Sequence, residues 1–226
     1  MDTDPVRESV RESVRGPASA AIAGLVFGGI FGAVIVLFHS ARPEAVADSA
    51  SWVGSANRRE AVDLALGLIP FAGIAFLWFV AVIRARVGSR HDRFFETVFL
   101  GSGLLFVAML FTTAAAVKGV LVLLDAGVAL PDETVAYAWV FASTLTGAFG
   151  ARMAAVFMIT TTTMGLRAGA VPRWLAVPGY VCAVLLLFTP PLPNLTQFLF
   201  PAWVVALSLY VLAQRRAAAP GSEGHE

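Results

Sequence analysis

The chain is a succession of apolar runs, each close to the length that a bilayer demands. Crossing a hydrocarbon core takes about 20 mostly apolar residues in helical form. Six runs approach or exceed that length: 18–38, 61–83, 98–124, 135–163, 174–189 and 195–213. Lipid offers no partner to backbone polar groups, so such runs must satisfy themselves as helices. The expected fold class is therefore all-α, a polytopic transmembrane bundle of six helices. Hydrophobic residues make up 58% of the chain and charged residues 14%. Soluble domains sit near 45–50% and about 25%, so disorder and most soluble globular enzymes are excluded. The fifth run is the shortest and contains Pro178, and the sixth contains Pro201. Two ordinary spans are expected there, with a single re-entrant hairpin as the alternative.

The basic residues give the expected orientation, because cytoplasmic loops collect Lys and Arg. Arg7, Arg11 and Arg15 precede the first run. Arg84, Arg86, Arg90 and Arg93 follow the second, Arg167 and Arg173 the fourth, and Arg215 and Arg216 the sixth. These eleven fall on one side, and only Arg42, Arg58 and Arg59 on the other. Both termini are expected in the cytoplasm, with the protein in the cell membrane. The organisation is then a cytoplasmic segment over 1–17, a six-span domain over 18–213 and a disordered cytoplasmic tail over 214–226. Ala45-Val46-Ala47 fits a cleavage site, but the first run is too long for a signal peptide and reads as an uncleaved anchor. Val6-Arg7-Glu8-Ser9 repeats as Val10-Arg11-Glu12-Ser13. That period would suit a helix along the inner leaflet, with a frayed polar tail as the alternative. Net charge is +1, so no nucleic-acid partner is expected.

Small residues mark where helices approach closely. Gly24, Gly28 and Gly32 share one stripe, and Ser143, Gly147, Ala151 and Ala155 share another. Packing within one bundle is the first reading. A homo-oligomer seam through the Gly24, Gly28 and Gly32 face is the second. Trp139 and Trp174 fall where aromatic belts are expected, and Trp52 reads as an interfacial anchor on a short helix in the loop over 39–60.

Charges inside a span are costly and usually point to a bundle interior or a wet cavity. Arg152 lies near the middle of the fourth run, where it needs a carboxylate, carbonyls, water or an anionic ligand. Thr163 lies on nearly the same face. Lys118, the one Lys in a chain of 15 Arg, lies in the outer part of the third run. Helical side chains lean toward the N-terminus, which aims Lys118 into the membrane rather than out of it. Asp63 lies at a similar depth and is the expected partner, the two lining an outer-leaflet pocket, while Asp125 is nearer the surface. Thr160–Thr163 can return their hydroxyls to the preceding turn and bend the helix, or line a cavity. No metal or cofactor is expected. Cys182 stands alone, and no phosphate-binding loop, zinc-binding His pair or serine elbow is present.

Three stretches carry a family likeness. They are His91-Asp92-Arg93-Phe94-Phe95-Glu96-Thr97-Val98-Phe99-Leu100-Gly101-Ser102-Gly103, Arg152-Met153-Ala154-Ala155-Val156-Phe157-Met158 and Leu166-Arg167-Ala168-Gly169-Ala170-Val171-Pro172-Arg173-Trp174-Leu175-Ala176. Over about residues 92–210 the chain resembles polytopic membrane proteins of high-GC bacteria that have no known function. The resemblance implies a bacterial cytoplasmic membrane and carries no activity. Three functional readings remain. The first is a small transporter or permease-like protein with a polar pocket formed by Asp63, Lys118, Arg152 and Thr163. The second is a non-catalytic scaffold or partner subunit. The third is a membrane enzyme acting on a lipid or isoprenoid, which no motif supports, so the balance leans away from an enzyme.

Overall fold

The computed structural model describes residues 17–43, 45, 48–87, 93–188 and 196–218. Among these are six helices and no strand: α1 (Pro17–Ser40), α2 (Ala56–Val87), α3 (Arg93–Asp125), α4 (Asp132–Arg167), α5 (Arg173–Phe188) and α6 (Thr196–Ala218). All but α5 are long and apolar enough to cross a membrane. α5 has 16 residues, about 24 Å at 1.5 Å per residue. The sequence boundaries hold to within a few residues, except that α6 continues through 214–218, where a disordered tail was expected. The N-terminal repeat and Val46-Ala47 of the cleavage-like site lie outside the described residues.

Each helix packs on the next in sequence, and α6 returns to pack on α1, which closes a ring. The α3–α4 and α4–α5 reversals are short because both helices end on a left-handed glycine. Gly127 (φ 78°) follows α3 and Gly169 (φ 68°) follows α4. After α3, Val128 N donates to Leu123 O and Gly127 N to Leu124 O. After α4, Ala170 N donates to Gly165 O and Gly169 N to Leu166 O. This pairing uses up the last free carbonyls of a helix and needs a residue that tolerates positive φ.

The ring closes over a knot of aromatic side chains. Phe27 of α1, Phe76 of α2, Phe106 of α3, Phe157 of α4 and Phe200 of α6 are all buried. Phe76 lies 4.9, 5.4, 5.1 and 5.6 Å, centroid to centroid, from the other four in that order. Tilted and edge-on pairs at such separations add about 0.5–1.5 kcal/mol each beyond area burial.

The glycine stripe is used inside the chain. A Cβ on Gly24 would overlap Ser208 Oγ, and one on Gly28 would overlap Val205 Cγ2, both side chains of α6. Gly32 faces open space. The face considered as an oligomer seam is thus filled by α6 at two of its three positions. Two tryptophans also differ from expectation. The loop after α1 does hold a short 3-10 turn at Ser51–Gly54, but Trp52 is fully buried rather than interfacial. It packs on Trp139, also buried, at 5.6 Å. The loop folds back onto the end of the bundle, so both rings are covered by protein. Trp174 is 67% exposed, as a belt position requires.

Replacing Gly28 by Leu should therefore destabilise the bundle by about 1–3 kcal/mol, the usual cost of overpacking. Gly29→Leu, where nothing lies within 4 Å, should be near neutral. Thermal unfolding of both variants in one mild detergent reads the difference.

Candidate functional site

The polar residues singled out in the sequence do not converge. Lys118 Nζ is ion-paired with Asp63 Oδ1, as expected from depth and lean. The pair lies on the outside of the α2–α3 seam, however, with both side chains about half exposed. It is the middle rung of three. Arg59 Nη2 meets Asp125 Oδ1 at 2.7 Å at one end of the seam, and Arg84 Nε meets Glu96 Oε1 at 2.7 Å at the other. The pair clasps two helices from outside and does not line the cavity described below.

Arg152 and Thr163 are also apart from it and from each other. Arg152 is exposed on α4, and its Nη1 donates to Ala148 O at 2.6 Å. Thr163 lies about 16 Å further along the helix. Its hydroxyl bonds Ile159 O at 2.7 Å and Tyr180 Oη of α5 at 2.8 Å. Thr160 and Thr161 likewise return their hydroxyls to the preceding turn. Three of the four threonines are thus used for local bonding or the α4–α5 contact, while the buried hydroxyl of Thr162 has no hydrogen-bond partner among the described residues, and none of the four lines the cavity described next.

The feature that does gather polar groups is a cavity of about 460 Å³ between α1, α3, α4 and α6. Such a volume falls within the range of small-molecule sites. It reaches the end of the bundle that carries the first loop, where His39, Arg42, Pro43 and Ser49 line it. Its floor is the aromatic knot, through Phe106 and Phe200, with Phe31 edge-on to Phe106 beside them. Between that end and the floor lie hydroxyls: Thr113 of α3, and Ser143, Thr144 and Thr146 of α4. Thr113 and Thr146 share a hydrogen bond of 3.0 Å across the α3–α4 contact. The second small stripe faces this space as well. Ser143, Gly147 and Ala151 line the cavity instead of seating a helix, whereas Ala155 is fully buried.

Two departures from regular helix flank the cavity. Over Leu145–Gly150 α4 makes a π turn, in which Ala151 N donates to Thr146 O. Thr146, Gly147 and Ala148 of that turn all line the cavity. In α6, Pro201 has no N–H to return to the carbonyl of Gln197, and Gln197 is a lining residue. Irregular backbone at membrane depth is tolerated where it borders protein or a wet space, and π turns recur at functional sites.

Of the ligand-binding set expected from sequence, Asp63, Lys118, Arg152 and Thr163, none lines this cavity, whereas Trp139, Ser143, Gly147 and Ala151, named for anchoring or packing, do. The sequence signals for the others were polar residues within apolar runs, Thr113 and Thr146 above all. Nothing in a single run shows that two of them meet across helices.

Removing one partner of the Asp63–Lys118 pair leaves the other charge on an apolar helix. Lys118→Met should cost on the order of 1–2 kcal/mol, and adding Asp63→Asn should recover most of it. A double-mutant cycle on unfolding in detergent measures that coupling. Comparison with known protein families, with curated proteins and with solved structures finds no match.

Proposed function

We propose that this chain is a small transporter-like membrane protein that takes a small molecule into the cavity between α1, α3, α4 and α6. One observation carries the reading: the bundle is hollow in one half, with hydroxyls along the wall and an apolar floor. In transporters, substrate sites lie near the bilayer midplane where helices are interrupted. The π turn of α4 and Pro201 of α6 supply such interruptions beside the cavity. The polar pocket is thus moved from the Asp63, Lys118, Arg152 and Thr163 set to the hydroxyl-lined space above the phenylalanines.

The same proposal places the chain in a bacterial cytoplasmic membrane with both termini inside. The eleven-to-three division of basic residues supports this orientation. The cavity then lies toward the outer face. Single cysteines test it in a Cys182→Ser background. Ala126→Cys, exposed between α3 and α4, should react with an impermeant maleimide in intact cells. Ala168→Cys, exposed between α4 and α5, should react only after permeabilisation. The reverse pattern contradicts the orientation.

Native mass spectrometry of the gently purified full chain tests the cavity itself. The parent should retain a small molecule. Ala151→Phe, which puts a ring into the cavity, should lose it, whereas Lys118→Leu should keep it. Equal retention by the parent and Ala151→Phe contradicts the reading.

A further inference from the structure

The cavity's shape and one unmatched charge say what it would hold. On α4 its lining runs from Trp139 to Ala154, on the order of 20 Å along the axis. The cavity is therefore elongated along the bundle axis, a shape that suits an extended chain. Much of the lining is apolar, including Val34 and Ile35 of α1 and Leu110 of α3.

The space also opens sideways. Val140, Ser143 and Thr144 line it yet are exposed, so that flank of α4 borders the surroundings of the bundle. Val140, Thr144 and Ala148 follow one another at helical spacing, and Arg152 is the next residue on the same flank. Its bond is to Ala148 O, and Ala148 is a lining residue although Arg152 is not. Among the described residues no carboxylate is within ion-pair reach of Arg152. A guanidinium cannot lose its proton and offers five donors, of which Ala148 O takes one. A fixed positive charge midway along a spanning helix is costly until an anion meets it.

We propose that the ligand is a single-chain amphiphile bearing one carboxylate, entering through the α4 flank and held by Arg152. This rests on the cavity reading above. A carboxylate matches the planar fork of Arg152 bidentately. One negative charge against one positive leaves a neutral pair, whereas a phosphate monoester, at about −1.5 to −2, leaves excess charge within the membrane. The chain lies in the cavity against Val34, Ile35 and Phe106.

The test is a titration of the full chain in zwitterionic-lipid nanodiscs, read by native mass spectrometry against empty discs. The probes are decanoate and its uncharged counterpart decanol. Decanoate should bind one per chain and more tightly than decanol. Arg152→Gln should weaken decanoate roughly tenfold or more and leave decanol little changed, and Ala151→Phe should abolish both. Should Arg152→Gln not fold, Arg152→Lys keeps the charge without the fork and should still lose several-fold. Unchanged decanoate binding in the variant that folds overturns the role of Arg152. Decanol binding as tightly as decanoate overturns acid recognition and leaves the cavity reading standing. Binding of neither probe, or no effect of Ala151→Phe, overturns both.

Discussion

Phe76 touches phenylalanine rings from four other helices, at centroid separations of 4.9–5.6 Å. In lipid there is little hydrophobic drive to bring helices together, so close packing and oriented contacts must hold them. A shared aromatic knot does this for five helices at one point. It also fixes where the ring is solid and where it is hollow. Toward the α3 N-terminus the space is filled by Phe79, Phe99 and Phe157. Toward the first loop the knot is a floor, and the helices above it enclose the cavity.

Two further devices keep that arrangement. The absence of side chains at Gly24 and Gly28 lets α6 lie against α1, which closes the ring and brings Phe200 to the knot. The three ion pairs of the α2–α3 seam set the register of those helices from outside. None of the six charges faces the cavity. Arg42 lines the cavity near the first loop, and Arg152 is bonded to Ala148 O of the π turn, itself a lining residue. The ion pairs and the cavity thus lie on different sides of the bundle.

The runs of hydropathy made the number and bounds of the helices legible, and depth with side-chain lean made the Asp63–Lys118 pair legible. What stayed hidden has a physical reason. A membrane helix is apolar on every face, so Phe71, which is 61% exposed, and Phe76, which is fully buried, read alike. The aromatic-belt tendency describes average depth and cannot foresee a loop that folds back, which is how Trp52 and Trp139 came to be covered. Arg152 announced itself as costly, but its pairing with Ala148 O depends on a turn whose sequence, Leu145–Gly150, carries no π signature. A cavity is a property of several helices at once, and only its separate hydroxyls were visible.

The central claim is that a chain-like molecule occupies the space above the phenylalanines rather than the lipid-facing surface. Photo-crosslinking with a decanoate carrying a diazirine in its chain, followed by peptide mapping, tests this most directly. Adducts on α1 between Phe31 and Phe38 and on α4 between Ser143 and Ala154, competed away by unlabelled decanoate, are the predicted result. Adducts confined to outward residues such as Leu64, Phe71 and Trp78, with no competition, would contradict the account.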